Sequence, residues 1–439
     1  MRNLITKFII NIYERIFQEK ITPNAQLFIK NLSYITIGYG VAAFSIFAFQ
    51  ILGGRILGPI EYGKYVLVDS LALFLYLFML LGTNTAIVKY VSEESDYKEQ
   101  RKIISTVYLI FISASLLSVI FFSFLSSQFS KLFSVDLIIF RLSIIFALIY
   151  SFYIMTIDTL RGLHEMKRLS IFRACYGVLA LLIFGFFLVN QYISFKSLVF
   201  SICCAYLIIF IFIVLMLRKY FSFQFDKLLA IKFLKYGFFV AIGSLCFAFL
   251  PSFSKILVNK YLSTANVGIY NAYYFSSIGV IIFLSAVFIT VFFPAISRRK
   301  HKKPIFKKIR QLLPYLFLLG IPILFAIEII ILRLYGPEYP LNYLLIFLFA
   351  IVGILIGVYG LYNWIFCSYG ISGVKISTMV AILTASINIL FSLYLIPYIA
   401  LYGAIISLGI AYFSGIVGLL FFKNRILHIS KAKQNINYE

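Results

Sequence analysis

The chain has 439 residues, 62% of them hydrophobic and 12% charged, with a mean hydropathy of +1.01. A water-soluble domain carries roughly 45–50% apolar and about 25% charged residues, so lipid is the expected solvent for most of this chain. The net charge of +24 does not point to nucleic acid, because the basic residues stand in short segments between apolar runs, where they anchor helix ends at an anionic leaflet.

The first element, residues 1–22, is an amphipathic helix lying on the cytoplasmic leaflet. Leu4, Ile5, Phe8, Ile9, Ile12, Tyr13, Ile16 and Phe17 share one face, with Arg2, Lys7, Asn11 and Arg15 elsewhere, and Pro23 ends the pattern. Residues 1–20 lack the continuous apolar stretch of a cleavable signal. About twelve runs long enough to cross a bilayer follow: 31–52, 66–88, 103–126, 137–159, 171–190, 195–217, 236–258, 267–292, 312–332, 342–366, 376–398 and 400–422. None alternates polar and apolar residues as barrel strands do, so the spans are helices.

Orientation follows from Lys and Arg. With the N-terminus in the cytoplasm, 31 of the 39 basic residues fall on the cytoplasmic side. Seven fall outside, among them Arg55, Lys64, Lys196, Lys255 and Lys260, and Arg141 lies within a span. Strict alternation with that asymmetry implies an even number of spans and two cytoplasmic termini.

The sequence repeats itself at an offset of 205 residues. Arg55-x-Leu57-x5-Gly63-x-Tyr65 matches Lys260-x-Leu262-x5-Gly268-x-Tyr270, each on the outer side after the first span of its half. Six spans per half make the repeat parallel, and two such bundles enclose a central cavity. The expected organisation is an amphipathic helix over 1–22, a first lobe over 31–217, a basic linker over 218–235, a second lobe over 236–422 and a cytoplasmic tail over 423–439.

Three stretches carry a resemblance to a known family. Leu57-Gly58-Pro59-x-x-Tyr62-Gly63-x-Tyr65 with Gly82 and Ala86 resembles the start of the polysaccharide-export flippases. Val267-Gly268-Ile269-Tyr270-Asn271-Ala272, running to Phe293-Pro294, and Ile396-Pro397 with Tyr402-Gly403-Ala404 are similar to later parts of the same family. This is the polysaccharide transporter branch of the MOP superfamily, the O-antigen flippase type. The resemblance implies an all-α, MATE-like fold of two lobes set in a V. It implies translocation of an undecaprenyl-diphosphate-linked oligosaccharide from the inner to the outer leaflet of a bacterial or archaeal cytoplasmic membrane. It also implies membrane lipids, the lipid-linked oligosaccharide and the polysaccharide polymerase machinery as partners.

Such a cargo needs a wet, polar path, because a sugar hydroxyl left unpaired in hydrocarbon costs roughly 2–7 kcal/mol and a diphosphate far more. Ionisable and polar residues inside the spans are therefore the candidates. For the cavity these are Lys255, Gln50, Arg55, Arg141, Asp69, Tyr39 and Asn388, with Lys255 foremost and Gln50 its repeat partner. Asp69, Arg141, Lys255 and Glu328 are expected near the outer ends of their spans. Asp158 and Arg173 are expected to pair across the inner 160–170 turn, leaving the midplane almost without charge. Asp69, Asp158 and Glu328 are the carboxylates that could couple movement to a proton or sodium gradient.

Other chemistries find little support. No G-x-x-x-x-G-K-[ST] cradle for ATP is present. His164, His301 and His428 all fall in cytoplasmic segments, so no catalytic constellation forms, and the five cysteines show no metal-ligand spacing. No cofactor is expected. The alternatives are a cation-coupled multidrug extrusion pump and a flippase for another lipid-linked cell-wall precursor.

Overall fold

The structure is a computed structural model that describes residues 23–222, 224–298 and 303–426. The amphipathic stretch 1–22, the tail beyond 426 and His301 lie outside those residues. The described chain is helical, with no strand.

Nine of its helices are long and apolar enough to cross a bilayer. Two of them bend midway and cross twice. α1 (Pro23–Leu80) breaks at Gly58 and α13 (Ile371–Phe421) at Ile399–Ala400. With α8 (Lys227–Tyr261), which carries Pro251 inside, the twelve expected spans are all present. Between them run α2 (Thr83–Glu93), α3 (Tyr97–Phe124), the short α4 (Ser126–Leu132), α5 (Leu137–Gly162), α6 (Met166–Val189) and α7 (Phe195–Leu217). After α8 come α9 (Thr264–Tyr274), a π-turn over Phe275–Gly279, α10 (Val280–Arg298), α11 (Lys303–Tyr335) and α12 (Tyr343–Cys367). α1 to α7 form the first lobe and α8 to α13 the second.

The helices extend past the apolar runs, since hydropathy reports only hydrocarbon thickness while the backbone stays helical into the interface. The segment 53–65, expected as an outer loop, is helical apart from Gly58, whose φ of 71° is open to glycine at little steric cost. Pro59 then sits at a helix start, where its missing N–H costs nothing. The second half meets the same geometric need with Ser263, whose hydroxyl accepts from the Asn266 N–H at the start of α9. The second expected span, 66–88, is also interrupted: Leu81 and Gly82 both take positive φ, and α2 leaves at a new angle.

The basic linker is shorter than expected and docked. A 3-10 turn over Arg218–Tyr220 leads to α8, which begins at Lys227 inside the stretch 218–235. Tyr97 donates to Lys219 O at 2.7 Å and Arg101 to Phe221 O at 3.0 Å, which fastens the linker to α3. Asp226 caps α8 by accepting from the N–H groups of Leu228 and Leu229, and it pairs with Lys102 at 2.7 Å. The Lys102 ammonium and these backbone donors hold the Asp226 carboxyl below the usual carboxylate range.

The two lobes meet along one face of the molecule, here termed the motif face because the Leu57 and Leu262 motifs lie there; the opposite, Lys- and Arg-rich side is the basic face. The second half of α1 packs along α9, and Gly63 and Gly268 each approach the backbone of the other's motif. Tyr62 is the hub of this seam. Its hydroxyl donates to Gln50 Oε1 at 2.8 Å, accepts from Asn271 Nδ2 at 2.8 Å and lies 3.2 Å from the Tyr335 hydroxyl. Tyr339 adds a bond to Gly54 O at 2.9 Å, and Asn259 one to Ser134 O at 2.7 Å. The lobes are thus closed on the motif face.

Candidate functional site

Beneath that seam lies a cavity of about 440 Å³ between the lobes, lined from α1, α6, α8, α9, the π-turn and α10. The volume falls within the range of ordinary ligand pockets, roughly 300–1,000 Å³. Its long dimension can be read along α1. Tyr39 lines one end and Gln50 the other, eleven residues apart, which is about 16 Å of helix.

Lys255 stands at the Gln50 end. Its side chain is buried among neighbours, yet its ammonium makes no hydrogen bond or ion pair among the described residues and rests 4.7 Å from the Tyr274 ring centroid. Asp69 lines the same cavity, near enough for the two charges to act on each other without closing into an ion pair. Gln50 is held by the tyrosines of the repeat motif, giving a hydrogen bond to Tyr65 at 3.2 Å and taking one from Tyr62. At the other end Arg173 stacks its guanidinium over the Tyr39 ring at 4.6 Å, and its buried Nε has no hydrogen-bond partner. Tyr65, Tyr176 and Tyr274 complete a wall of phenol rings. Behind Tyr176, Tyr153 and Tyr206 pack at ring separations of 4.5–5.6 Å and hold it upright.

The structure therefore brings Lys255, Gln50, Asp69 and Tyr39 into one cavity and leaves the other three sequence candidates out of it. Arg55 is exposed at the motif face and reaches Leu334 O on α11 at 3.5 Å, a strap between lobes. Arg141 is exposed on α5. Asn388 is buried inside the second lobe, where its Oδ1 takes a 3.4 Å hydrogen bond from Ser254.

Two expectations about depth change as well. Because its helix restarts at Pro59 and not at 66, Asp69 lies ten residues, about 15 Å, along it. Arg173 does not pair with Asp158. Asn84 donates to Asp158 at 2.9 Å and Arg161 stands 3.8 Å away, so the carboxylate is already served and the guanidinium turns to the cavity. The interior thus holds charge that the apolar runs concealed. Arg173 is the residue the sequence reading missed as a cavity cation. The available cue was that it is an ionisable group inside an expected span, 171–190. Among the described residues no cluster of His, Cys, Asp and Glu could hold a metal ion.

The model of the polysaccharide biosynthesis protein family matches residues 28–300, and the chain belongs to that family. No curated protein matches the sequence. The fold is that of the MOP superfamily. It is similar to an inward-facing multidrug resistance MATE transporter, at a TM-score of 0.63 and 16% identity over 90% of this chain and 96% of that one. It is similar to the lipid II flippase MurJ in an inward closed conformation, at 0.62 and 16% over 92% of each chain. A Pyrococcus furiosus MOP transporter, described as having a binding pocket of reverse polarity, matches at 0.60 and 17% over 93% and 99%. The chain is a multi-pass membrane protein of this transporter and flippase fold.

Proposed function

We propose that the protein is a flippase that carries a lipid-linked oligosaccharide, with an undecaprenyl-diphosphate anchor, from the inner to the outer leaflet of the cytoplasmic membrane for cell-surface polysaccharide or O-antigen synthesis. The observation that carries this reading is the lining of the cavity. Two cations, Arg173 and Lys255, stand at its two ends, while phenol rings, Gln50 and Asn271 fill the wall between them. Guanidinium and ammonium groups are the natural partners of a diphosphate. Tyrosine faces and amide groups suit the apolar faces and hydroxyls of sugars. Arg173 lies toward the basic face, taken as cytoplasmic with both termini, and receives the diphosphate first. Lys255 lies beneath the Tyr62 seam, taken as external, and holds it before the seam opens.

Among the described lining residues the opposing charge is Asp69 alone, so the cavity carries net positive charge and suits an anionic headgroup better than a cationic drug. Export driven through Asp69 or Asp158 by a proton or sodium gradient remains part of this reading, as does hand-over to the polymerase machinery. The test is leaflet-resolved: the pure protein in sealed vesicles holding a lipid-diphosphate-linked oligosaccharide, with outer-leaflet headgroup read by its access to an added, membrane-impermeant glycosidase. Access faster than in protein-free vesicles supports the reading. Access unchanged by the protein, or uptake of a cationic dye in its place, overturns it.

A further inference from the structure

The second lobe holds a carboxyl that the cavity does not use. Glu328 on α11 has no exposed surface, and neither of its carboxyl oxygens has a hydrogen-bond partner. Ser277 stands beside it, but the Ser277 hydroxyl donates to Phe349 O on α12 at 3.0 Å. The titratable side chain that faces Glu328 from α9 is Tyr273, whose hydroxyl is engaged with Pro340 O and the Asn342 N–H. Among the described residues, no charged side chain faces it from α1, the π-turn or α12.

An ionised carboxylate in such a place would lack both counter-charge and donors, a costly arrangement. A carboxyl carrying its own proton is neutral and tolerates the apolar wall. The ligand this site takes is therefore a proton. Its position gives that proton leverage. Ser277 is the middle residue of the π-turn, buried and facing the lobe interior, while Phe275 and Gly279 at the two ends of the same turn line the cavity. A π-turn holds one residue more than the α-helix around it and converts readily to the tighter form.

We infer that Glu328 is a proton-binding site whose occupancy sets the conformation of the π-turn that separates it from the cavity. With the proton bound, Ser277 is free to serve Phe349 O, and the turn keeps its observed form. When the proton passes to water, the carboxylate needs a donor, and the Ser277 hydroxyl beside it must swing from Phe349 O to supply one. That movement strains the π-turn and shifts Phe275 and Gly279 at the cavity wall. The inference holds whatever the cavity carries.

The experiment uses the full chain in lipid nanodiscs with no cargo present. Infrared difference spectra across a pH titration should show a protonated-carboxyl band that disappears in Glu328→Gln and persists in Asp69→Asn. Hydrogen–deuterium exchange over 275–279, corrected for the intrinsic pH dependence, should rise with pH in the wild type and stay low in Glu328→Gln, the neutral isostere. Ser277→Ala should keep the infrared band and lose the pH-dependent exchange. Absence of a band assignable to Glu328 overturns the site, and identical exchange in wild type and Glu328→Gln at every pH overturns its link to the turn. The Gln variant keeps the shape of the protonated side chain, and its thermal unfolding in the same nanodiscs checks that the lobe is intact.

Discussion

Gly63 and Gly268 cross each other's chains at the seam between the lobes in a reciprocal way. A Cβ on Gly63 would overlap the carbonyl oxygen of Thr264, and one on Gly268 would overlap the carbonyl oxygen of Pro59. Pro59 and Thr264 are themselves separated by the 205-residue repeat offset that relates Gly63 to Gly268. The crossing thus sits on the pseudo-twofold axis of the molecule, and two helix starts approach there with no side chain between them.

Because a backbone carbonyl cannot move aside as a side chain can, alanine at either glycine should force the two helix starts apart. Gly63→Ala or Gly268→Ala is expected to cost about 1–3 kcal/mol of the closed arrangement, in line with overpacking at a tight contact. The check is thiol labelling: with the native cysteines replaced, a cysteine at Ile46, which lines the cavity, should react faster with a membrane-impermeant reagent added from the motif side. Unchanged labelling in both variants would show that the glycines do not hold this face shut.

Tyr62 should matter for the same face by a different route. Phenylalanine there preserves the ring packing with Tyr65 and Tyr335 but removes the hydroxyl that joins Gln50, Asn271 and Tyr335. Leaving the buried Asn271 amide and the half-buried Gln50 amide short of a partner costs about 1–3 kcal/mol. Tyr62→Phe is expected to lower the thermal stability of the purified protein and to raise labelling at position 46, whereas Tyr65→Phe, which loses a single 3.2 Å bond, should do less.

Much of this was legible in the sequence, and the failures lie where contacts between distant segments decide. Apolar runs fix the number of spans and the repeat fixes the two lobes, because both are local or periodic signals. Lys255 stood out because an ammonium in the first helix of a lobe has few other uses. Arg173 was assigned to Asp158 on proximity along the chain, but Asn84, 74 residues distant, is the closer partner. Arg55 and Arg141 read as cavity residues because sequence gives depth in the membrane and not the direction a helix face points. The helical turn at 59–65 was hidden because its polar content resembles a loop.

The Lys102–Asp226 pair joins α3 of the first lobe to the start of the second. The folded carboxyl titrates below its unfolded counterpart, so its contribution is fully present above the unfolded value near 3.9 and is lost as pH falls through the depressed folded one. Stability of the detergent-solubilised protein should therefore decline on acidification more steeply for wild type than for Asp226→Asn. The effect is small because the pair is exposed to solvent. A thermal unfolding series from pH 7 to pH 3 makes the comparison, and parallel curves for the two proteins would deny the pair any role.

The two cavity cations should be separable by the step each serves. Arg173 borders the end near the basic face, where a headgroup from that leaflet first meets protein. Lys255 stands at the opposite end, under the closed seam. Each charge-assisted contact to a phosphate contributes about 1.5–3 kcal/mol, so removing one should weaken headgroup binding by roughly 10- to 150-fold. Arg173→Gln should accordingly reduce capture, raising the cargo concentration needed for half-maximal flipping in vesicles while leaving the maximal rate close to wild type. Lys255→Gln should leave capture nearly intact and lower the maximal rate, because the diphosphate has no holding point before the seam opens. Lysine in place of Arg173 restores charge but not the planar stack on Tyr39, so partial recovery is expected there. Equal losses of both parameters in Arg173→Gln and Lys255→Gln would show that the cations act together on one bound state, and the sequential assignment of the two ends would be wrong.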